Sequence, residues 1–290
     1  MTSVPVLEED WTGENVTVSQ IERELARLRD ATSTAGGQPN LRTSVMTHIA
    51  WAPPAWQDVA EETLAGMAER HPSRTLLLVP RADEPDGIDA QLSIRCFPVG
   101  DRAVCGEVIE LFLRGTRARA PASIVLPLLI SDLPVFCRWR GEPVFDSAEF
   151  DQIIEIVDRL VVDSSEWSDG RYDELQGVFA RTAVSDIAWA RTLPWRLELA
   201  GYWPGIREQE IHIRGPRAEA TLLRAWLNAR LDRAIRPVED GKKLSVRLGG
   251  ETLPAPREPD LSPSDLLSAE LDRFGHDPVY EEAVRAAAAA

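Results

Sequence analysis

The sequence has 290 residues, 44% of them apolar, and a formal net charge of −15 from 32 basic and 47 acidic side chains. A chain of this length and apolar content buries enough surface to fold without disulfides or metal, and its length predicts about two domains. The negative charge repels polyanions, which argues against a nucleic-acid-binding protein.

Nothing in the sequence predicts export or insertion into a membrane. The first ten residues include Glu8, Glu9 and Asp10 and lack a basic segment followed by an apolar run, so we expect no secretory signal. The longest apolar stretch, 124–130, is far shorter than the roughly 20 residues that span a bilayer, and Pro127 interrupts it. We therefore expect a cytoplasmic protein without a membrane partner.

The first predicted element is an amphipathic helix at 19–30. Ser19 followed by Glu22 has the pattern of a capping box, and Ile21 and Leu25 recur at helical spacing. From residue 42 onward, strand-like and helix-like segments alternate, which indicates a layered α/β domain. The strands of this domain are predicted at 43–50, 75–79, 92–97, 104–113, 134–139 and 160–162, with helices at 56–70 and after Asp146.

After residues 169–170 the pattern changes to helices, predicted at 172–182, 186–191 and 194–200, which places a domain boundary near residue 168. Strands at 209–213 and 244–248 and helices at 216–232 and 263–274 follow, and the closing alanine run is expected to fray. The predicted fold class is α/β. We predict an N-terminal arm and helix (1–40), a domain with a layered mixed sheet and flanking helices (41–168), and a smaller α+β domain with a terminal helix (169–290).

Familiar cofactor and catalytic motifs are absent from the sequence. It has no dinucleotide-binding glycine motif, no phosphate-binding P-loop and no hydrolase nucleophile elbow. The four histidines, His48, His71, His212 and His276, are scattered and form no helical zinc-binding pair. The sequence therefore predicts no cofactor, no metal and no catalytic residue.

Two cysteines are placed to meet across a predicted hairpin. If 100–101 is its two-residue tip, Cys96 and Cys105 face each other on adjacent strands. In a non-hydrogen-bonded pair the Cα atoms lie about 4.5 Å apart, a separation that a disulfide accepts. Cytosolic cysteines are usually reduced, so a reduced structural pair is the alternative to a redox pair.

Two polar turns follow or precede predicted strands. Asp132 lies in one, and Asp163 and Ser164 lie in the other, and both turns could lie at one edge of the sheet, where α/β proteins bind ligands. The alternative is turn chemistry, because Asp and Ser are favoured in turns and caps for their hydrogen bonds alone.

The nine tryptophans are many for this length, and three of them lie close to arginines. Trp and Arg are over-represented in binding hot spots, although Trp also fills protein cores. The candidate partner-binding residues are Arg138, Trp139, Trp189, Arg191, Trp195 and Arg196.

A set of short motifs occurs in a fixed order between about residues 42 and 248. The motifs are His71-Pro72-Ser73-Arg74, Cys105-Gly106-Glu107, Pro127-Leu128-Leu129, Asp132-Leu133-Pro134-Val135-Phe136, Trp139-Arg140-Gly141, Asp158-Arg159-Leu160 with Val162-Asp163-Ser164, and Asp186-Ile187-Ala188-Trp189-Ala190-Arg191 with Pro194-Trp195-Arg196. In this order they resemble the OpcA family, the glucose-6-phosphate dehydrogenase assembly proteins of cyanobacteria and actinobacteria. One departure is Thr192-Leu193-Pro194 in place of Leu-Thr-Pro, which displaces the hydroxyl that would cap the next helix.

The resemblance implies a non-catalytic partner that promotes the oligomerisation or activation of glucose-6-phosphate dehydrogenase. It thereby implies a role in the oxidative pentose phosphate pathway and in the supply of NADPH. The rival hypothesis is an enzyme or sensor that binds a sugar phosphate at the Asp132 and Asp163 loops. A third is a structural scaffold for several enzymes of the pathway.

Overall fold

The computed structural model describes residues 7–35, 40–41, 44–67, 73–99, 102–168, 170–257 and 260–289. In these ranges the strands form two sheets. The larger sheet contains β1 Leu7–Gly13, β2 Asn40–Leu41, β3 Thr47–Trp51, β4 Arg74–Arg81, β5 Gly87–Val99, β6 Arg102–Arg114, β7 Val135–Trp139, β8 Arg159–Val162 and β9 Ala183–Asp186. The smaller sheet contains β10 Ile211–Gly215, β11 Glu239–Asp240, β12 Ser245–Leu248 and β13 Glu251–Thr252.

Helices cover both faces of the larger sheet and one face of the smaller sheet. They are α1 Val18–Ala35, α2 Gln57–Ala65, α3 Ala122–Val125, α4 Ala148–Ile154, α5 Tyr172–Val178, α6 Ile187–Arg191, α7 Leu193–Ala200, α8 Arg217–Leu231, α9 Pro263–Leu271 and α10 Pro278–Ala288. The predicted mixed α/β fold is therefore confirmed. None of the helices in the described ranges has the length and apolar content needed to cross a membrane.

The larger sheet is mostly parallel. Its strand order is β1-β5-β6-β4-β3-β7-β8-β9, with β2 paired to β6, and the strands from β6 to β9 in this order all run parallel. Strands β5 and β1 continue the sheet in antiparallel pairing. The carboxyl ends of β7, β8 and β9 consequently share one edge, the usual position of ligand sites in such sheets.

The middle of the larger sheet is buried on both faces, as the continuous apolar run of β4 predicts. Leu76 and Leu78 belong to the core beneath α1 and α4, whereas Leu77 and Val79 pack with Ala60 of α2 on the opposite face. The side chains thus alternate between two apolar layers, each closed by helices.

Both predicted helix caps lie one or two residues from their observed positions. The cap of helix α1 lies two residues earlier than Ser19, where the Thr17 hydroxyl accepts from the Gln20 N–H (3.3 Å) and the Gln20 side chain accepts from the Thr17 N–H (2.8 Å). Helix α4 is capped by Ser147, which accepts from the Phe150 N–H, and not by Asp146. Several neighbouring polar residues satisfy the capping pattern in each segment, so the pattern alone does not select one.

The predicted domain limits cut through the larger sheet. Strand β9 pairs with β8, although it lies beyond the predicted boundary at residue 168, and β1 from the predicted arm pairs with β5. Neither strand was predicted, because β1 is rich in acidic residues and β9 has only four residues. The closing alanine run, which was expected to fray, is helical as far as Ala288 and packs against the core through Ala287 and Ala288.

Helix α8 joins the two sheets. Its Leu222 packs in the core of the larger sheet, and its Leu223 and Leu227 pack with Ile213 and Val246 of the smaller sheet. A helix with apolar residues on two sides is buried between layers. The relative position of the sheets therefore depends on α8.

The hairpin predicted around the cysteines is confirmed by the register of β5 and β6, in which Cys96 pairs with Cys105. The two residues form a disulfide, with their Cα atoms 4.0 Å apart. The predicted tip, 100–101, lies outside the described residues. A redox role for the pair stays a prediction.

Replacement of Tyr280 by alanine tests whether α10 is an integral part of the core. Tyr280 is fully buried, and its ring packs on Phe179 and Trp189 with centroid distances of 5.8 and 5.7 Å. We expect Tyr280→Ala to lower the free energy of unfolding by about 3–5 kcal/mol in urea denaturation, the range for large aromatic truncations. The matched Tyr202→Ala, at an exposed tyrosine, should cost less than about 1 kcal/mol. Equal losses in both variants would show that α10 does not belong to the core.

Candidate functional site

A buried ionic network occupies the carboxyl edge of the larger sheet. Arg138 lies in β7 and Arg140 directly follows it, Asp163 directly follows β8, and Asp186 ends β9. Because these strands are parallel and adjacent, their ends bring the four side chains to the same edge. We call the charged residues that meet here the edge network: Arg138, Arg140, Asp163, Glu166, Asp186, Arg191 and Glu219.

Glu166 holds the two arginines of this edge. It lies in a short 3-10 helix, Ser164–Glu166, that follows β8 and is capped by the Asp163 side chain. Its Oε1 accepts from Arg138 Nη2 (2.6 Å) and Arg140 Nη1 (3.0 Å), and its Oε2 accepts from the Gly141 N–H (2.7 Å). Burial and the neighbouring Arg138 charge lower the pKa of Arg140.

Arg191 connects the edge of the larger sheet to α8. Its Nη1 and Nη2 donate to the two carboxylate oxygens of Asp163 (3.0 and 2.9 Å), and its Nε donates to Glu219 Oε1 (2.7 Å). Burial alone would lower the pKa of Arg191, but its bonds to Asp163 and its interactions with Glu219 outweigh it and raise the pKa. The paired contact with Asp163 is the bidentate geometry for which arginine is suited.

Asp186 is the most buried carboxylate of the network. It accepts from the backbone N–H of Ser164 (3.0 Å) and of Ala188 (2.8 Å), and the Tyr280 hydroxyl lies 3.3 Å from its second oxygen. Burial, and secondly the charge of Asp163, raise the pKa of Asp186 to about 6. This carboxylate therefore titrates close to neutral pH.

A cavity of about 530 Å³ adjoins the edge network at the start of α8. Ser164 and Glu219 of the network region line it, together with Trp167 and Tyr172. The charged side chains of the edge network thus lie next to a cavity that has space for a small molecule. Among the residues that the structure describes, no three His, Cys, Asp or Glu side chains come together to hold a metal ion.

The structure buries most of the predicted partner-binding residues. Trp139, Trp189, Trp195 and Arg138 belong to the interior, where Trp139 stacks on the Trp51 ring at a centroid distance of 4.7 Å. Their large apolar rings fill the layers between sheet and helices, which leaves them little surface to offer a partner.

Arg191 and Arg196 are the partly exposed members of that set. The Arg196 guanidinium lies 3.6 Å from the Trp189 ring centroid, and burial lowers its pKa to about 10. The displaced Thr192 does not cap α7; its hydroxyl donates to the Trp189 carbonyl (2.7 Å) and accepts from Arg196 Nε (3.0 Å). A partner-binding role for the six residues stays a prediction.

The two predicted ligand turns lie at opposite edges of the sheet, which corrects the expectation that they share one. Asp132 precedes β7, at the amino end of the parallel strands, whereas Asp163 and Ser164 follow β8 at the carboxyl end. Asp132 has a positive φ of 64°, a conformation that Asp tolerates in turns, so the turn interpretation describes its structural role. Asp163 is engaged by Arg191 and Ser165.

Sequence reasoning missed Arg140, Glu166 and Glu219 as members of the site. Arg140 stands in one of the quoted motifs, beside Trp139, and its position after a strand is the signal that places it at the edge. Glu166 and Glu219 carry no such signal, because one lies in a short turn and the other in the first turn of a helix, where acidic residues are common for reasons of stability.

The fold and the edge network define an α/β protein whose charged centre is occupied by ion pairs between its own elements. Residues 41–176 match the OpcA family, in the domain described as the glucose-6-phosphate dehydrogenase subunit N-terminal domain. This match confirms the resemblance to that family over residues 41–176.

The names of two curated relatives agree with this family match. The chain is 26% identical over 182 residues to the OxPP cycle protein OpcA of Synechocystis sp., which covers 57% of this chain and 38% of that protein. It is 27% identical over 183 residues to the protein of the same name from Nostoc punctiforme, covering 57% of this chain and 39% of that protein. The alignments thus span about two fifths of the length of these relatives.

Replacement of Glu166 by glutamine tests the edge network as a stabilising element. Without the carboxylate charge, Arg138 and Arg140 lose their direct ion pairs and keep only the more distant charge of Asp163, so we expect Glu166→Gln to cost about 3–5 kcal/mol of unfolding free energy. Glu142→Gln is the matched control, since Glu142 pairs with Arg171 at a more exposed site and should cost within about 1 kcal/mol. Urea denaturation of both variants measures the difference, and a loss below 1 kcal/mol in Glu166→Gln would contradict the assignment.

The raised pKa of Asp186 predicts a specific pH dependence. The folded state binds this proton more tightly than the unfolded state, whose carboxyl titrates near 3.8, so the contribution of Asp186 to stability falls as pH rises through about 6. Between pH 5.5 and 7.5 the wild type should lose about 1 kcal/mol relative to Asp186→Asn, which keeps an acceptor for the two N–H groups. Chemical denaturation at several pH values gives this difference, and parallel pH profiles of the two proteins would refute it.

Proposed function

We propose that the chain is a non-catalytic assembly factor that binds glucose-6-phosphate dehydrogenase and favours the active form of that enzyme. In this role it supports the oxidative pentose phosphate pathway and the supply of NADPH in the cytoplasm. The observation that carries the proposal is the family match over residues 41–176, whose description names a glucose-6-phosphate dehydrogenase subunit. The names of the curated relatives point to the same cycle.

An activator of this kind needs no catalytic group of its own. It has only to bind the active form of the enzyme better than the inactive form, and a difference of about 1.4 kcal/mol shifts that equilibrium tenfold. The edge network fits such a role, because its carboxylates and arginines are engaged with one another and make the domain rigid.

A cluster of exposed apolar side chains offers a surface for the enzyme. Leu193 and Leu197 lie one turn apart on α7 and are 39% and 66% exposed, and Tyr202 and Trp203 follow the helix with 38% and 49% exposure. We call these four residues the α7 surface. Adjacent exposed apolar residues of this size are typical of protein-protein interaction sites.

Basic side chains border the α7 surface, in a chain whose net charge is −15. The Arg207 guanidinium lies 4.6 Å from the Trp203 ring centroid, and Arg257 lines the groove beside Leu197 and Tyr202. Glu198 lines the same groove, so the rim is mixed with an excess of arginine, and such a rim around an apolar centre fits a partly apolar patch with acidic groups on the enzyme. The two part-exposed arginines of the predicted set, Arg191 and Arg196, lie in or next to the helices that carry this surface.

Initial rates of the dehydrogenase from the same organism, measured with increasing amounts of this chain, test the proposal. We expect saturable activation, and we expect Leu197→Asp to weaken it at least tenfold, because a carboxylate at this position must be desolvated in an apolar interface and repels acidic groups on the enzyme. Leu197 is highly exposed, so the variant should unfold in urea at the same concentration as the wild type.

Val144→Asp is the matched control, since it introduces the same charge at an exposed valine outside the α7 surface and should leave activation unchanged. Equal activation by Leu197→Asp and wild type would reject the α7 surface as the contact. Binding without any change in rate would reject activation and favour a scaffold.

A further inference from the structure

The cavity of about 530 Å³ beside the edge network has no role in the proposed contact with the dehydrogenase. We propose that it binds a small phosphorylated metabolite rich in hydroxyl groups, that is, a sugar phosphate. Its volume lies within the range of about 300–1,000 Å³ that is usual for small-molecule sites. Its walls are the segment after β8, the first two turns of α8, and the residues around β11.

The α8 wall provides the binding groups for an anion. Arg217, Thr221 and Arg224 follow one another at i, i+4 and i+7, so they lie on one face of the helix, and all three line the cavity. The helix has fifteen residues and begins at Pro216 without a side-chain cap, so its first-turn N–H groups and the positive end of its dipole are also directed to this end. Two guanidinium groups and a helix start together favour a phosphate.

Two residues of the cavity walls carry polar atoms that make no hydrogen bond. Trp167 and Glu219 line the cavity and are only 9% and 8% exposed, and Trp167 Nε1 and Glu219 Oε2 have no hydrogen-bond partner among the described residues. Both atoms are closed to solvent, so a ligand reaches them only after the side chains rotate toward the cavity. A hydroxyl group then satisfies both kinds of atom, because it accepts from an indole N–H and donates to a carboxylate.

The remaining wall suits a sugar ring. The hydroxyl groups of Ser164, Ser165 and Ser168 line it, each already hydrogen-bonded to a neighbouring side chain, and the rings of Trp167 and Tyr172 provide apolar surface next to them. A pocket with apolar walls and a few fixed polar groups is typical of small-molecule sites. The cavity is therefore built to take polar groups on one side and a carbon skeleton on the other.

The distribution of charge selects between ligand classes. Arg217 and Arg224 favour an anionic group, whereas the carboxylates of Glu219 and Asp240 in the same walls repel one. A ligand with one phosphate and several neutral hydroxyl groups matches this asymmetry, since its phosphate contacts the arginines and its hydroxyl groups donate to the carboxylates. A ligand with anionic groups at both ends does not match it.

Isothermal titration calorimetry of the full chain, without dehydrogenase, tests the proposal with glucose 6-phosphate as the probe. Glucose and inorganic phosphate are titrated in parallel to separate the two halves of the ligand. We expect saturable binding of glucose 6-phosphate and at least tenfold weaker binding of glucose and of phosphate, because each lacks one set of contacts. Phosphate that binds as tightly as the sugar phosphate would reduce the site to an anion site and overturn the proposal.

Variants of the α8 wall locate the binding. Arg217→Glu changes an exposed side chain and Arg224→Gln a half-buried one, and each should weaken binding of glucose 6-phosphate at least tenfold. Arg95→Glu is the matched control, since it makes the same charge change on β5 outside the cavity and should leave binding unchanged. Circular dichroism verifies that each variant is folded. No saturable binding to wild type, or equal binding by wild type and Arg217→Glu, would overturn the proposal.

Discussion

The bidentate pairing of Arg191 with Asp163 is the interaction on which the arrangement of this protein depends. Asp163 directly follows β8, Arg191 ends α6, and the same guanidinium reaches Glu219 in the first turn of α8. One side chain thus ties the carboxyl edge of the larger sheet to the helix that packs against the smaller sheet. Breaking a buried ion pair is costly because it leaves an uncompensated charge, so the contacts of Arg191 with Asp163 and with Glu219 Oε1 favour one relative position of the two sheets.

Much of the fold could be predicted from the sequence, because the spacing of apolar residues indicates which segments form strands and which form helices. The continuous apolar run of β4 predicted a central strand, and the period of α1 predicted an amphipathic helix, and both are observed. Strands β1 and β9 were missed, since the outer strand β1 contains three consecutive acidic residues, Glu8, Glu9 and Asp10, and β9 has only four residues. These two strands are recognised only by their pairing with neighbouring strands in the sheet. Because β9 was missed, the predicted boundary at residue 168 fell within the larger sheet.

The site could be predicted only in part. Asp163, Arg138 and Arg191 stand in motifs that resemble the OpcA family, but their partners Glu166 and Glu219 come from a turn and a helix start that nothing in the sequence marks. Tryptophan beside arginine is compatible with an interface or a core, and the structure buries Trp139, Trp189 and Trp195 in the core. Leu197 and Trp203, by contrast, are exposed. Nothing in the sequence marks them as surface residues, and their exposure follows only from the way α7 is oriented on the protein.

The protein therefore has an edge whose charged groups pair with one another and, close by, an exposed apolar surface that we propose for the partner. Hydrogen exchange of this chain, with and without the dehydrogenase of the same organism, tests this division most directly. We expect that the enzyme slows exchange in 193–208 and leaves the opposite end of the larger sheet, 87–96, unchanged. Protection confined to 87–96, or no protection at any position under conditions in which the enzyme is activated, would contradict it.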